Sequence, residues 1–345
     1  MSDPTQRLMD DAALRTWLQE RLPVGPGAAY KVERHQAGHS NETFFVTWGR
    51  TEMVLRRPPA GAFLPTAHDV LREYRILCAL DGSDVRAPRP ILACEDASVI
   101  GAPFYLMEKA RGVVLREALP PGIADVARIG DELIDALAEV HGFPWQKAGI
   151  EGKPEGYLER QVKRWTGQME MTLPWTSNVR EVPELVEAGG WLAANVPRSP
   201  KTTLVHGDYK LDNVLFSFGP AGPNLAAILD WEMSTLGDPL ADVGWMLSFW
   251  REQGDPAPDI SVTPRITEAP GMRTRAELIA RYEAKTGTKV ENLRFYEALA
   301  VWKLAILLEG SYARHLLGAT DDPFFAQMEK AVPALARRAL RTARA

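Results

Sequence analysis

The sequence predicts an α+β fold with two lobes, a small strand-rich lobe followed by a larger and mainly helical one. Before residue 110, five short runs have the composition of strands and surround one helical segment. After Gly112, apolar residues recur at three- and four-residue steps. With 345 residues and 46% hydrophobic content, the chain can bury one large core or two modest ones. We expect an N-terminal lobe over residues 1–109 and a C-terminal lobe over residues 110–345.

The elements of each lobe follow from apolar periodicity and from glycine and proline breaks. In the first lobe, helices are predicted over 7–22 and 67–80, and strands over 29–34, 43–48, 53–56, 89–93 and 103–107. In the second lobe, helices are predicted over 123–141, 156–171, 183–195, 240–252, 274–286, 291–317 and 324–342, and strands over 214–218 and 226–229. The proline-rich stretch 254–270 is expected to be a surface loop.

Composition excludes several classes of protein. The 40 basic and 45 acidic residues give a net charge of −5, so nucleic acid is not expected as the main partner. Cys78 and Cys94 lie in apolar segments, which predicts buried, reduced thiols and a cytoplasmic location. The first residues show no signal peptide, and no apolar run is long enough to span a membrane.

The most informative motif covers residues 206–213, HGDYKLDN, followed by the predicted strand that ends at Asp230. Its spacing, H-x-D-x-K-x-x-N, is that of a phosphoryl-transfer catalytic loop. This chemistry needs a base near the attacking hydroxyl and oxygen ligands for Mg²⁺. We therefore predict Asp208 as the catalytic base, Lys210 as the cation that neutralises the transferring phosphate, and Asn213 and Asp230 as the metal ligands.

The segments HGDYKLDN and LDWEMSTLGDPLADVGW resemble the aminoglycoside phosphotransferase family, which shares the protein-kinase fold. Within it, TLGDPLADVGW and VLRRPP are most similar to the phosphotransferase domains fused to some acyl-CoA dehydrogenases and to their free-standing bacterial relatives. The resemblance covers about residues 25–320. It implies a bilobal kinase-like fold that uses ATP and Mg²⁺.

On the nucleotide side, the resemblance places Gly38, Ser40 and Asn41 in the loop over the phosphates, although an ordinary hairpin turn would show the same residues. Arg56 takes the third-strand position where many relatives carry Lys, and it can clamp phosphates with two prongs. Glu73 is the expected partner of Arg56, with a pairing to neighbouring residues such as Arg72 as the alternative.

The segment after the fifth strand resembles the linker that binds adenine in this fold. The backbones of Glu108 and Ala110 are expected to contact the base, with the Met107 side chain beside the ring or simply in the core.

Three further residues are expected to support the catalytic loop. His206 braces it through backbone hydrogen bonds, Asp238 caps the helix that begins at Pro239, and Asp242 orders the loop from one turn further on. The role of Glu232 stays open, and His141 is expected to cap a helix end.

Two classes of function compete, an active small-molecule kinase and a nucleotide-binding pseudokinase. The presence of Asp208, Asn213 and Asp230 favours the enzyme. The resemblance favours a hydroxyacyl-CoA or a related amphipathic alcohol as acceptor, with an aminoglycoside or macrolide antibiotic as the alternative. The pocket is expected between the catalytic loop, the segment 145–200 and the helices after 254. The tryptophans and basic residues of that segment suit an amphipathic anion or belong to the core: Trp145, Arg160, Lys163, Arg164, Trp165, Trp175 and Trp191.

Overall fold

The structure is a computed structural model that describes residues 9–35, 41–59, 69–123, 125–257, 265–318 and 323–345. It confirms the predicted α+β, two-lobed architecture. The N-terminal lobe contains α1 (Asp11–Arg21), β1 (Tyr30–His35), β2 (Glu42–Trp48), β3 (Thr51–Arg57), α2 (Val70–Leu80), β4 (Pro90–Cys94) and β5 (Phe104–Glu108). The C-terminal lobe contains α3 (Ala127–Gly142), α4 (Tyr157–Thr172), α5 (Pro183–Ala194), β6 (Thr203–Val205), β7 (Val214–Gly219), β8 (Gly222–Ile228), β9 (Thr235–Gly237), α6 (Pro239–Phe249), α7 (Arg275–Thr286), α8 (Leu293–Leu316) and α9 (Met328–Arg344).

The five strands of the N-terminal lobe form one antiparallel sheet in the order β1-β2-β3-β5-β4. One face packs on α1, where Phe44 and Val46 meet Leu14 and Leu18. The other face packs on α2 and joins the core of the C-terminal lobe. Since β3 lies between β2 and β5 and both of its faces are covered, its residues 53–57 are all buried. That position explains how Arg56 can be a buried cation.

Helix α2 turns a single face toward the core. Its buried residues are Val70, Glu73, Ile76, Leu77 and Leu80, at the three- and four-residue steps of one helix face. The neighbouring Cys78 lies outside this face and is exposed, while Cys94 is buried. The expectation of a buried thiol was therefore right for Cys94 and wrong for Cys78.

Two short strands were missed by the sequence analysis. β6 and β9 have three residues each and pair antiparallel, with Thr203 opposite Gly237. Their pairing brings the segment before the catalytic loop beside the start of α6. A strand of three residues shows too little alternation to be recognised from the sequence.

In the C-terminal lobe, α6 and α8 pack unusually closely. A Cβ atom placed on Gly244 would lie 2.6 Å from the Cβ of Tyr296 and 2.8 Å from its carbonyl oxygen, so only glycine fits there. Among the helices that the structure describes, none is long and apolar enough to cross a bilayer.

Candidate active site

The loop 206–213 leaves β6 and is fixed by α6. Asp242 accepts the backbone N–H of His206 at 2.6 Å and that of Gly207 at 2.8 Å. Gly207 has a φ of +84°, and a Cβ there would lie 2.7 Å from the carbonyl oxygen of Met233. The loop therefore requires glycine at this position.

His206 joins the loop to the end of β8. Its Nδ1 accepts the Asp208 N–H at 3.2 Å, so the proton lies on Nε2, which donates to the Leu229 carbonyl at 2.9 Å. Burial lowers the pKa of His206 and favours the neutral ring that this tautomer requires. The geometry agrees with the predicted bracing role.

His141 contacts the Asp242 carboxylate in the core and does not cap a helix end as the sequence had suggested. His141 is buried, with Nδ1 2.7 Å from the Tyr282 hydroxyl and Nε2 3.2 Å from the Asp242 carboxylate. Burial alone would raise the pKa of Asp242, but His141 and the backbone donor of Gly207 outweigh it and lower that pKa. His141 therefore supports the catalytic loop through Asp242, and the prediction of a helix cap was wrong.

Asp208 lies at the centre of a set of donors. Lys210 Nζ is 2.7 Å and 2.9 Å from its two oxygens, and Asn213 Nδ2 is 2.7 Å from Oδ2. Trp245 Nε1 donates to Oδ1 at 2.8 Å. Burial raises the pKa of Asp208, but the charge and hydrogen bonds of Lys210 outweigh it and lower that pKa. The carboxylate is therefore ionised and oriented.

Asn213 and Asp230 are brought together by the backbone. The Leu229 N–H donates to the Asn213 carbonyl at 2.7 Å, which holds the strand end beside the loop. Because the Asn213 amide nitrogen bonds the Asp208 carboxylate, its amide oxygen stays available to a cation. Asp230 has a φ of 64°, a left-handed conformation that is uncommon outside glycine.

The donor set fits Mg²⁺. An amide oxygen and a carboxylate oxygen are the hard ligands this ion prefers, and it keeps several waters or phosphate oxygens besides. Among the described residues, no group of three or more His, Cys, Asp or Glu could hold a metal on its own. Asn213 and Asp230 would thus hold the ion together with a nucleotide rather than as a closed protein cage.

The predicted pair of Arg56 and Glu73 is present and buried. Arg56 Nη1 donates to Glu73 Oε1 at 2.6 Å and to Asp230 Oδ1 at 3.0 Å. Burial would lower the pKa of Arg56, but the Glu73 and Asp230 carboxylates raise it well above its ordinary value. Burial raises the pKa of Glu73 to about 7, against the opposing pull of Arg56. Arg56 Nε is buried and has no protein partner among the described residues.

The alternative pairing of Glu73 with Arg72 is not observed. Arg72 donates to the Glu232 carbonyl at 3.0 Å and to the Ser234 carbonyl, whereas Glu73 accepts the Trp231 N–H at 3.1 Å. These bonds join α2 directly to the segment after Asp230.

The predicted phosphate loop is described only in part. Gly38 and Ser40 lie outside the described residues. Asn41 is buried, and its Nδ2 donates to Glu232 Oε2 at 2.8 Å. Arg56 Nη2 lies 3.8 Å from the same carboxylate, so Glu232 points into the cleft and is not a solvated turn residue.

The predicted adenine linker follows β5. Met107 is buried and belongs to the main core, which agrees with the second of its two interpretations. The Glu108 N–H donates to the Arg89 carbonyl at 2.9 Å. Any contact from Glu108 to a base would therefore use its carbonyl oxygen. Ala110 lies just beyond β5 and is half-buried.

Asp238 stabilises the start of α6, and its three hydrogen bonds go to residues outside the loop 206–213. It accepts the Leu240 N–H at 2.9 Å, the Ser199 hydroxyl at 2.6 Å and the Tyr296 hydroxyl at 2.8 Å. Burial raises the pKa of its carboxyl group. Asp238 caps the helix as predicted and also ties α6 to α8.

Two residues of the site were missed by the sequence analysis, Trp245 on α6 and Lys303 on α8. Lys303 Nζ donates to the Gly207 carbonyl at 2.8 Å and lies 4.3 Å from the centre of the Trp245 ring. Burial lowers the pKa of Lys303 to about 8. The sequence did contain a signal for Lys303: it is the one charged residue in the apolar run 298–308. A charged residue in a buried helix needs a polar partner, so its position predicts a contact inside the protein.

The segment 145–200 contributes less than its composition suggested. Trp165 and Gln161 of α4 line a small cavity with Trp245 and Lys303. Trp175 is exposed. The other two tryptophans lie elsewhere: the Trp145 indole donates to Thr202, and Trp191 packs on Phe295.

Comparison with known proteins shows which family this chain resembles. A family model described as "Phosphotransferase enzyme family" matches residues 31–288. Acyl-CoA dehydrogenase family member 11 of Rattus norvegicus is 35% identical over 334 residues, which cover 92% of this chain and 42% of that protein. The chain thus spans less than half the length of this relative.

Solved structures show the same fold. A Ralstonia eutropha protein, provisionally named an aminoglycoside phosphotransferase, aligns with a TM-score of 0.79 and 31% identity, covering 97% of this chain and 98% of its own. A mutant aminoglycoside phosphotransferase in complex with AMP-PNP and hygromycin B aligns with a TM-score of 0.61 and 15% identity, over 96% and 98% of the two chains, and shares the fold alone. On the family match and the identity to its relatives, the chain belongs to the phosphotransferase enzyme family.

Proposed function

We propose that the protein transfers the γ-phosphate of ATP, with Mg²⁺, to the hydroxyl group of a small-molecule alcohol. One observation carries the proposal: the Asp208 carboxylate is oriented by three donors, and one of them, Asn213, is bonded through its backbone to Leu229, the residue before Asp230. We also propose a cytoplasmic location, because Cys78 and Cys94 are free thiols, as is usual in a reducing compartment.

Each residue has a defined task in this scheme. Bound ATP would supply the phosphoryl group and leave as ADP, and Mg²⁺ would neutralise part of the phosphate charge. Asp208 orients the acceptor hydroxyl and takes its proton as the new bond forms. Lys210 offers positive charge beside the base, and Arg56, held by Glu73, offers its guanidinium to phosphates from the N-terminal lobe. We assign nucleotide binding to the lobe 1–109 and acceptor binding to the lobe 110–345.

For the acceptor, we favour a hydroxyacyl-CoA or a related amphipathic alcohol. The ammonium groups of Lys210 and Lys303 both lie near Asp208, and Arg164 adds to the positive charge that Lys303 experiences. Positive charge beside the base favours an acceptor with an anionic part over a polycation. The dehydrogenase names of the relatives are consistent with an acyl-CoA.

An antibiotic kinase is the second candidate, and it is favoured by the fold shared with the protein that binds hygromycin B. A screen of ATP consumption against hydroxyacyl-CoAs, aminoglycosides, macrolides and choline-like alcohols separates the two. We expect saturable turnover of a hydroxyacyl-CoA. Turnover of kanamycin-like compounds without any turnover of acyl-CoA alcohols would contradict the acyl-CoA proposal.

Asp208→Asn is the control for the base in that screen. It removes the charge while nearly keeping the shape, so it should lower kcat by roughly 10²–10⁴-fold, the usual contribution of a positioned base. Calorimetry should show that Mg-ATP still binds. A variant with nearly wild-type turnover would refute the role of Asp208.

A further inference from the structure

Trp245 differs from the other two donors to Asp208. Lys210 and Asn213 each have a second task in the proposed reaction, at the phosphate and at the metal. The Trp245 indole N–H donates to Asp208 Oδ1 at 2.8 Å and is assigned to neither ligand. A carboxylate has about four acceptor sites, and the three donors together supply four contacts. When Lys210 turns to a phosphate, the Trp245 indole and the Asn213 amide nitrogen can both stay on the carboxylate, and of these two only Trp245 holds Oδ1.

The surroundings of Trp245 hold its ring rigidly. The residue is 4% exposed, and the neighbouring Gly244 seats α6 against the backbone of α8. The Lys303 ammonium lies 4.3 Å from the ring centre on one side, and Phe249 packs at 5.2 Å between ring centres. Lys303 also bonds the Gly207 carbonyl, next to the base. The indole ring and the residue that precedes Asp208 therefore contact the same lysine.

We propose that Trp245 is a positioning residue, which holds the Asp208 carboxylate in its reactive orientation while Lys210 and Asn213 engage the nucleotide and the metal. The proposal rests on the proposed function, because it needs Asp208 to act on an acceptor hydroxyl. A fixed base contributes to catalysis only when it lies within hydrogen-bond reach of that hydroxyl, so loss of its anchor lowers turnover rather than binding.

The first test uses Trp245→Phe, which keeps most of the ring and removes the N–H. The matched control is Trp302→Phe, which also removes a buried indole hydrogen bond, here to the carbonyl of Leu185 on α5. Trp245→Phe should lower kcat by about 10- to 100-fold, the loss expected for one hydrogen bond to a charged group. KM for ATP should stay within about twofold, and the control should keep its turnover.

The second test separates positioning from general damage to the fold. In the Asp208→Asn background, Trp245→Phe should cause little further loss, because two residues that act as a unit are not additive. Nitrogen-15 spectra of the indole groups add a measurement that needs no acceptor. The Trp245 indole resonance is identified by its absence from the spectrum of Trp245→Phe. That resonance should shift in Asp208→Asn, because the indole then loses its hydrogen bond to a charged oxygen.

The outcomes distinguish the two proposals. A wild-type protein that turns over no compound of the acceptor screen would overturn the proposed function and this role with it. An active wild type whose Trp245→Phe variant retains full kcat, or whose losses add fully to those of Asp208→Asn, would overturn the positioning role alone. An indole resonance unchanged in Asp208→Asn would also overturn it.

Discussion

Lys303 should make the stability of the protein depend on pH in the alkaline range. Its pKa falls from 10.5 to about 8 because its ammonium group is buried on α8. Between these values, the unfolded chain keeps the proton and the folded chain releases it. The unfolded state then binds more protons, so the contribution of Lys303 to the free energy of unfolding rises with pH.

The size of the effect follows from the shift. The full difference between the two pKa values corresponds to about 3 kcal/mol, most of it gained between pH 7 and pH 10. The Gly207 carbonyl and the Trp245 ring recover part of the desolvation cost of the charged form. Asp208 and Asp242, which face Lys303, have lowered pKa values and stay ionised throughout this window.

Urea denaturation from pH 7 to pH 10 measures the effect. The free energy of unfolding of the wild type minus that of Lys303→Met should rise by about 2 to 3 kcal/mol over this range. Lys163→Met, which removes an exposed lysine of α4, controls for the loss of one positive charge. A difference that stays flat with pH, or that falls, would refute the reasoning.

Three further changes have expected outcomes. Asp230→Ala should abolish the effect of Mg²⁺ on ATP binding in calorimetry, because the cation loses a charged oxygen ligand; an unchanged effect would place the metal elsewhere. Glu309→Ala should lower the free energy of unfolding by about 3 kcal/mol in urea titrations. In the wild type the Arg180 guanidinium lies 2.6 Å from the Glu309 carboxylate, and the substitution removes that carboxylate. A loss below about 1 kcal/mol would contradict a buried ion pair. Gly244→Ala should lower the free energy of unfolding by about 1 to 3 kcal/mol, because the added Cβ clashes with α8. The control is Gly190→Ala on α5, where an added Cβ meets open space, and it should leave stability unchanged or raise it slightly. Similar Tm values for the two variants would refute the close packing of α6 on α8.

The sequence was most informative where local spacing sets the geometry. Asp208, Lys210 and Asn213 lie within six residues of one loop, so their spacing alone placed them together. The pairing of Arg56 with Glu73 came from the resemblance, and the structure shows the pair in place. Their functional roles stay predictions.

The parts that the sequence could not predict depend on contacts between distant segments. Trp245 and Lys303 meet Asp208 only because α6 and α8 pack against the catalytic loop. No local pattern encodes that packing. His141 was misassigned for the same reason, since its position at a helix end predicted a cap while Tyr282 and Asp242 hold it in the core.

The bonds from α2 to the segment after Asp230 restrict how the cleft between the lobes can open. Arg72 holds two carbonyls of residues 232–234, and Glu73 holds the Trp231 N–H. If the small lobe rotates as one body, this segment must either travel with it or give up three hydrogen bonds at once. Travel would carry the Asp230 carboxylate away from Asn213, so an opened cleft would separate the two residues that we propose as metal ligands. Closure of the lobes and assembly of the metal site would then be one event.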